Sequence, residues 1–129
     1  MILLDTHALL WLYTDDPRLG PNARERISEA TSVAYSPISV AELAIKHMLG
    51  RIDLPGEGDF PGVFERMGLV ELPLTSAQAA ALENEPALVR HDPFERFLLA
   101  QAEVSGRTLV TADRVLLALE GRNVLDARR

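Results

Sequence analysis

Apolar residues fall along the chain in short blocks that alternate between strand-like and helical spacing. Ile2-Leu3-Leu4 is a continuous apolar run of the kind a buried parallel strand shows. After Asp5, Leu9, Leu10 and Tyr13 share one side of a predicted helix, until Pro17 and Gly20-Pro21 break it. Asn22 to Ala30 reads as a second helix, and Ser32 to Ser36 as a second strand. Pro37-Ile38-Ser39 turns the chain into another helix, with Ser39 as the expected N-cap. Val40, Leu43, Ala44 and Met48 follow at helical spacing, and Gly50 ends the element. Arg51 to Pro61 is loop, Val63 to Met67 a short helix, and Leu69-Val70-Glu71-Leu72 a third strand. Thr75 and Gln78 form a capping-box pattern opening a helix that Pro86 closes. His91-Asp92-Pro93 opens the best-marked helix, whose apolar side is Phe94, Phe97, Leu98, Ala102 and Val104, and Gly106 stops it. Thr108-Leu109-Val110 is a fourth strand, a helix runs from Asp113 to Leu119, and Asn123-Val124-Leu125 reads as a last short strand. Strands alternating with helices predict an α/β fold: a doubly wound, three-layer domain with a parallel sheet covered on both faces.

Composition adds limits. The 129 residues fit one domain, 1–129, able to bury a substantial core. There are no cysteines, which removes disulfides, thiolate metal sites and cysteine nucleophiles together. No basic region precedes Met1-Ile2-Leu3-Leu4, and no stretch approaches the ~20 apolar residues of a membrane helix, so the expected location is cytoplasmic. The net charge of −6 is awkward for a nucleic-acid binder. All but one of the 13 basic residues are Arg, however, and Arg suits bidentate phosphate contacts.

The placement of certain acids suggests what the negative charge is for. Ligands of open α/β sheets sit beyond the carboxyl ends of the strands. Asp5 follows the first strand, Glu42 lies early in the helix after the second, Asp92 and Glu95 open the helix leading to the fourth, and Asp113 follows the fourth. Each acid also has a structural reading. Ser39-Val40-Ala41-Glu42 and Asp92-Pro93-Phe94-Glu95 resemble capping boxes, and Asp5 and Asp113 can each cap the helix they precede. Together, three or four carboxylates at one sheet edge repel unless a cation lies among them. Oxygen ligands without Cys select a hard ion, Mg²⁺ or Mn²⁺, suited to phosphodiester hydrolysis. On this reading Asp5→Asn or Asp113→Asn is expected to stabilise the metal-free protein by relieving repulsion.

Four segments carry a family resemblance. Met1-Ile2-Leu3-Leu4-Asp5-Thr6-His7 resembles the opening of PIN-domain proteins, and Ser39-Val40-Ala41-Glu42-Leu43 their second acidic motif. His91-Asp92-Pro93-Phe94-Glu95-Arg96-Phe97-Leu98-Leu99-Ala100-Gln101-Ala102 is similar to a segment typical of VapC-type toxins, and Thr108-Leu109-Val110-Thr111-Ala112-Asp113 resembles the last motif. The resemblance implies a Mg²⁺- or Mn²⁺-dependent endoribonuclease leaving 5′-phosphate and 3′-hydroxyl ends, the toxin of a VapBC-type toxin–antitoxin pair. It also implies a homodimer, a VapB-like antitoxin partner and strand order 3-2-1-4-5. The implied metal site draws on Asp5, Asp113 and one of Glu95 or Asp92, with Glu42 near enough to ligate the ion or orient the attacking water. Glu95 stands where the family usually has Asp, and its oxygens reach about 1.5 Å further. That departure keeps a catalytically weak PIN-like RNA- or partner-binding domain open as an alternative. Another Mg-dependent phosphoryl-transfer enzyme on a doubly wound sheet is a further one.

The remaining polar candidates have two readings each. Thr6 and Thr111 hold carboxylates or substrate phosphate, or cap turns. Arg96 contacts phosphate or forms a salt bridge. His7 and His91 flank acids, but the family's chemistry assigns neither a direct part, and His47 is expected on a solvated helix face. Trp11, Tyr13, Phe94 and Phe97 are expected in the core or a dimer interface. Arg128-Arg129 touches RNA or is a frayed tail.

Overall fold

The computed structural model describes residues 1–129. The chain runs β1 (Ile2–Leu4), α1 (Thr6–Thr14), α2 (Pro21–Glu29), β2 (Val33–Tyr35), α3 (Pro37–Met48), α4 (Gly62–Arg66), β3 (Val70–Glu71) and α5 (Ser76–Ala80). Two 3-10 turns (Ala81–Asn84 and Pro86–Leu88) lead to α6 (Pro93–Ser105), β4 (Thr108–Thr111), α7 (Arg114–Leu117) and β5 (Val124–Asp126). The five strands form one sheet in the order β3-β2-β1-β4-β5, and all its pairings are parallel. This is the predicted α/β class and strand order.

The continuous apolar run of β1 is explained by two cores. Successive strand side chains point to opposite faces. Ile2 and Leu4 join Tyr35 and Val110 in one core, against Leu9 and Trp11 of α1, Leu43 of α3 and Phe64 of α4. Leu3 joins Ala34 and Leu109 in the other, against Leu98, Leu99 and Ala102 of α6 and Leu116 of α7. Parallel pairing of these strands is what places their carboxyl ends at a common edge.

Several boundaries differ from expectation. The N-cap of α3 is Ser36, whose Oγ accepts from Ile38 N at 3.0 Å, and not Ser39. Pro37 has a preset φ and no N–H to satisfy, so it belongs at the first helical position and moves the cap back to the residue before it. Ser39-Val40-Ala41-Glu42 is therefore no capping box. β3 is two exposed residues rather than four, at the sheet's edge. The helix after Asp113 is four residues rather than seven, and Val104 is exposed at 51% rather than core. Asp92 caps α6 with Pro93 at N1, and the Thr75–Gln78 capping box is present, both as predicted.

Two tertiary clamps were not evident in sequence. Fully buried Gln101 of α6 accepts from the Ser36 hydroxyl and donates to Leu72 O at 3.0 Å. It thereby ties α6 to the chain around β2 and β3. The C-terminal residues are not frayed either. Gly20 N donates to Ala127 O (2.9 Å), Asn22 N donates to Arg129 O (2.7 Å), and Ala127 is completely buried. No helix is long and apolar enough to cross a membrane.

Candidate active site

The edge beyond the carboxyl ends of β1 and β4 carries a groove lined by His7, Glu42, Lys46, Asp92, Glu95, Ala112, Asp113 and Arg128. Three separate stretches of sequence thus line the groove with acids, and a fourth brings Asp5, fully buried, within 4.8 Å of groove residues Glu95 and His7. The backbone N of Asp5 donates to Val110 O at 2.9 Å, extending the β1–β4 pairing to the point where α1 begins.

Asp5 is fully buried and held by both oxygens. Oδ1 accepts from Ala8 N (2.7 Å), which makes Asp5 the N-cap of α1. Oδ2 accepts from the Thr111 hydroxyl (2.7 Å) and from Ala112 N (3.1 Å). Burial pushes its carboxyl above the usual range, and those hydrogen bonds together with nearby His7 only partly offset this. The Thr111 oxygen also accepts from Asp113 N at 3.0 Å, so one hydroxyl sets two acids. Capping and site membership are therefore one arrangement in Asp5, not alternatives.

Glu42 lies one turn into α3 and is buried. Its Oε1 accepts from the Thr6 hydroxyl (2.7 Å), which also lies 3.0 Å from Ser39 Oγ. Its Oε2 pairs with Lys46 Nζ at 3.0 Å, one helical turn on. Lys46, the chain's single lysine, is a groove residue that sequence reasoning did not single out. The spacing of four residues from Glu42 was the signal that it faces the site.

Glu95 differs from the other acids. It is 5% exposed, and its Oε2 is buried with no hydrogen-bond partner. Burial first, then the charges of Asp5, Asp113, Glu42 and Asp92, push its carboxyl up to about 9. An oxygen of Glu95, an oxygen of Asp5 and a ring nitrogen of His7 lie within 4.8 Å of one another. Asp92, by contrast, is exposed at the rim with Oδ1 accepting from Phe94 N (2.9 Å), and it does not join that tight group.

Asp113 caps α7 through Oδ1, which accepts from Val115 N (2.9 Å) and Leu116 N (3.0 Å). Its Oδ2 lies 2.9 Å from His91 Nε2. The two residues are 22 positions apart, and no local pattern announces the contact.

Arg96 is placed away from the acids. Adjacent helical residues point about 100° apart, so with Glu95 turned into the groove Arg96 faces a separate hollow by Leu82, Glu85 and Val89. Its Nε is buried without a partner, and it forms no salt bridge. His47 is not merely solvated, since its Nδ1 lies 3.0 Å from Ile52 O. Arg128 reaches the groove by donating to Ala112 O at 2.7 Å, with its guanidinium carbon 5.4 Å from the centre of the Trp11 ring.

A cation fits this donor set. Oxygen and imidazole donors converge, one buried carboxylate oxygen has no protein partner, and burial together with the neighbouring acids pushes one carboxyl up to about 9. A positive ion would relieve all of these.

Comparison with known proteins agrees with the arrangement. The model of the PIN domain family matches residues 2–121. Ribonuclease VapC22 of Mycobacterium tuberculosis (strain ATCC 25618 / H37Rv) is 34% identical over 118 residues, covering 89% of this chain and 88% of that protein. Two solved structures share the fold. One is VapBC2 from Rickettsia felis bound to a DNA fragment from their promoter, with TM-score 0.69 and 16% identity over 97% of this chain and 98% of that one. The other is FitAcB from Neisseria gonorrhoeae, with TM-score 0.66 and 20% identity over 98% of both chains. With strand order, acid placement and family model in agreement, the chain belongs to the PIN domain family.

Proposed function

We propose that this protein is a divalent-metal-dependent endoribonuclease, the toxin of a VapBC-type toxin–antitoxin pair. The observation that carries the reading is buried Glu95, one of whose oxygens has no partner, close to Asp5 at the carboxyl edge of the sheet. A ribonuclease relative aligned over most of the chain supports the reaction class. Asp5 and Glu95 would hold the ion, with Asp113 close by, and Glu95 rather than Asp92 is the third acid of the motif. When bound, such an ion lowers the pKa of a coordinated water and offsets charge that builds on a phosphoryl group.

The chain's own side chains do the rest. Thr111 and two backbone N–H groups fix Asp5, so its position costs no reorganisation when substrate arrives. Thr6 and Lys46 hold Glu42 at the groove, where it can accept a proton from an attacking water. Arg128 presents a cation to the RNA backbone, and Trp11 keeps it from collapsing onto the acids. Ligand hardness makes Mg²⁺ the expected ion, with Mn²⁺ as a substitute. The likeness to the VapBC2 assembly supports a VapB-like antitoxin as partner, and the proposal includes a homodimer acting in the cytoplasm, as the family resemblance implies.

Purified protein is to be incubated with a pool of tRNA and rRNA in Mg²⁺, Mn²⁺ or EDTA. Cleavage is expected with either metal and absent with EDTA. Undiminished cleavage in EDTA would contradict the proposal, and no cleavage with any divalent ion would favour a binding domain instead.

A further inference from the structure

His7 is the one histidine whose ring nitrogens have no partner within the chain. His47 is bonded to Ile52 O and His91 to Asp113 Oδ2. His7 is the second residue of α1, two positions after the cap Asp5, and it is exposed where the groove opens. Its ring centre lies 5.9 Å from that of Trp11, which is buried and limits where the imidazole can swing. A ring nitrogen of His7 lies within 4.8 Å of ligand oxygens from both Asp5 and Glu95. Two donors on opposite sides of an ion bound at about 2.1 Å are about 4.2 Å apart. The three groups are therefore within a small adjustment of sharing one ion. Independently, the buried Oε2 of the same Glu95 has no hydrogen-bond partner, so this carboxylate is one that lacks a ligand.

We infer that His7 is a ligand of the Asp5–Glu95 cation site, and that its nitrogen makes the site prefer a transition-metal dication over Mg²⁺. Carboxylates and water suit Mg²⁺ and Mn²⁺ alike. Mg²⁺ keeps to oxygen ligands, whereas an added imidazole raises affinity for first-row transition ions, Mn²⁺ among them. The diagnostic quantity is therefore what His7 adds for Mn²⁺ and does not add for Mg²⁺. The hard-ion expectation drawn from carboxylates alone is thereby revised. His7 reaches the site because the N-cap geometry of Asp5 turns the first residues of α1 toward the same groove. The inference rests on the metal-dependent reading above, and the test separates the two.

Binding of Mn²⁺ and of Mg²⁺ to the whole protein is to be measured by titration calorimetry. Electron spin echo spectroscopy of the Mn²⁺ complex then reports any coordinated nitrogen. Wild type should bind Mn²⁺ about tenfold or more tightly than Mg²⁺ and show a histidine nitrogen coupling. His7→Ala should lose the coupling and about tenfold in Mn²⁺ affinity, with Mg²⁺ affinity changed by less than about threefold. His91→Gln should keep the coupling, which assigns the nitrogen, and a Tm for each variant checks its fold. Mn²⁺ bound without nitrogen coupling would overturn the part given to His7 and leave the nuclease reading standing. Failure of wild type to bind either ion would overturn both.

Discussion

Glu95 is where burial and repulsion meet most directly. With its carboxyl raised to about 9 from an ordinary 4.5, the metal-free folded protein binds a proton that the unfolded chain releases near pH 4.5. That contribution to stability is complete below pH 4.5 and is lost as pH rises toward 9. In EDTA the Tm should therefore fall across this window, and Glu95→Gln, neutral at every pH, should flatten the fall and give the higher Tm at pH 8. A difference of about 1 kcal/mol moves the Tm of a domain this size by about 4 °C, well within reach of calorimetry. Identical pH profiles for variant and wild type would refute the assignment. The two aspartates divide in a way that repulsion alone does not foretell. Asp113→Asn can keep the Oδ1 cap and turn its amide to His91, so it should stabilise the metal-free protein as the sequence suggested. Asp5→Asn should instead destabilise it by about 1–3 kcal/mol, because an amide nitrogen placed at either oxygen position meets a backbone N–H. Urea denaturation of both variants at pH 7 separates the cases.

The elements were legible where local chemistry decides them. Ile2-Leu3-Leu4 announced a strand buried on both faces, and Asp92-Pro93 announced the start of α6. The acids were legible because each stands at a strand end or helix start, positions that sequence spacing marks. What stayed hidden depends on contacts between distant segments. The pairing of His91 with Asp113 and the clamp of Gln101 between Ser36 and Leu72 leave no periodicity to read. The cap of α3 was misplaced by three residues because both Ser36 and Ser39 are competent caps, and Pro37 decides between them. Ser36→Ala should cost about 1–2 kcal/mol through the lost cap, with a further penalty for the buried Gln101 oxygen left unbonded. A change below about 0.5 kcal/mol in chemical denaturation would show that Ser36 is not the working cap.

Across the whole molecule, the C-terminus closes the site that the N-terminus opens. The last residues pass so close to Gly20 that a Cβ there would lie 2.4 Å from the Arg129 carbonyl carbon. Gly20→Ala should therefore displace residues 127–129, lower the Tm and expose the peptide bond after Arg128 to trypsin faster than in wild type. Equal rates of cleavage would mean that this segment is not seated as described. The central claim is that the groove between these two ends is a metal-dependent RNA-cleaving site organised around Asp5 and Glu95. Its most direct test is the rate at which Glu95→Gln cleaves RNA in saturating Mn²⁺, measured beside wild type with the cut ends mapped. The account predicts 5′-phosphate and 3′-hydroxyl ends from wild type and a loss of about a hundredfold or more in the variant, despite its greater metal-free stability. Wild-type rates from Glu95→Gln, or cyclic-phosphate ends from either protein, would contradict it.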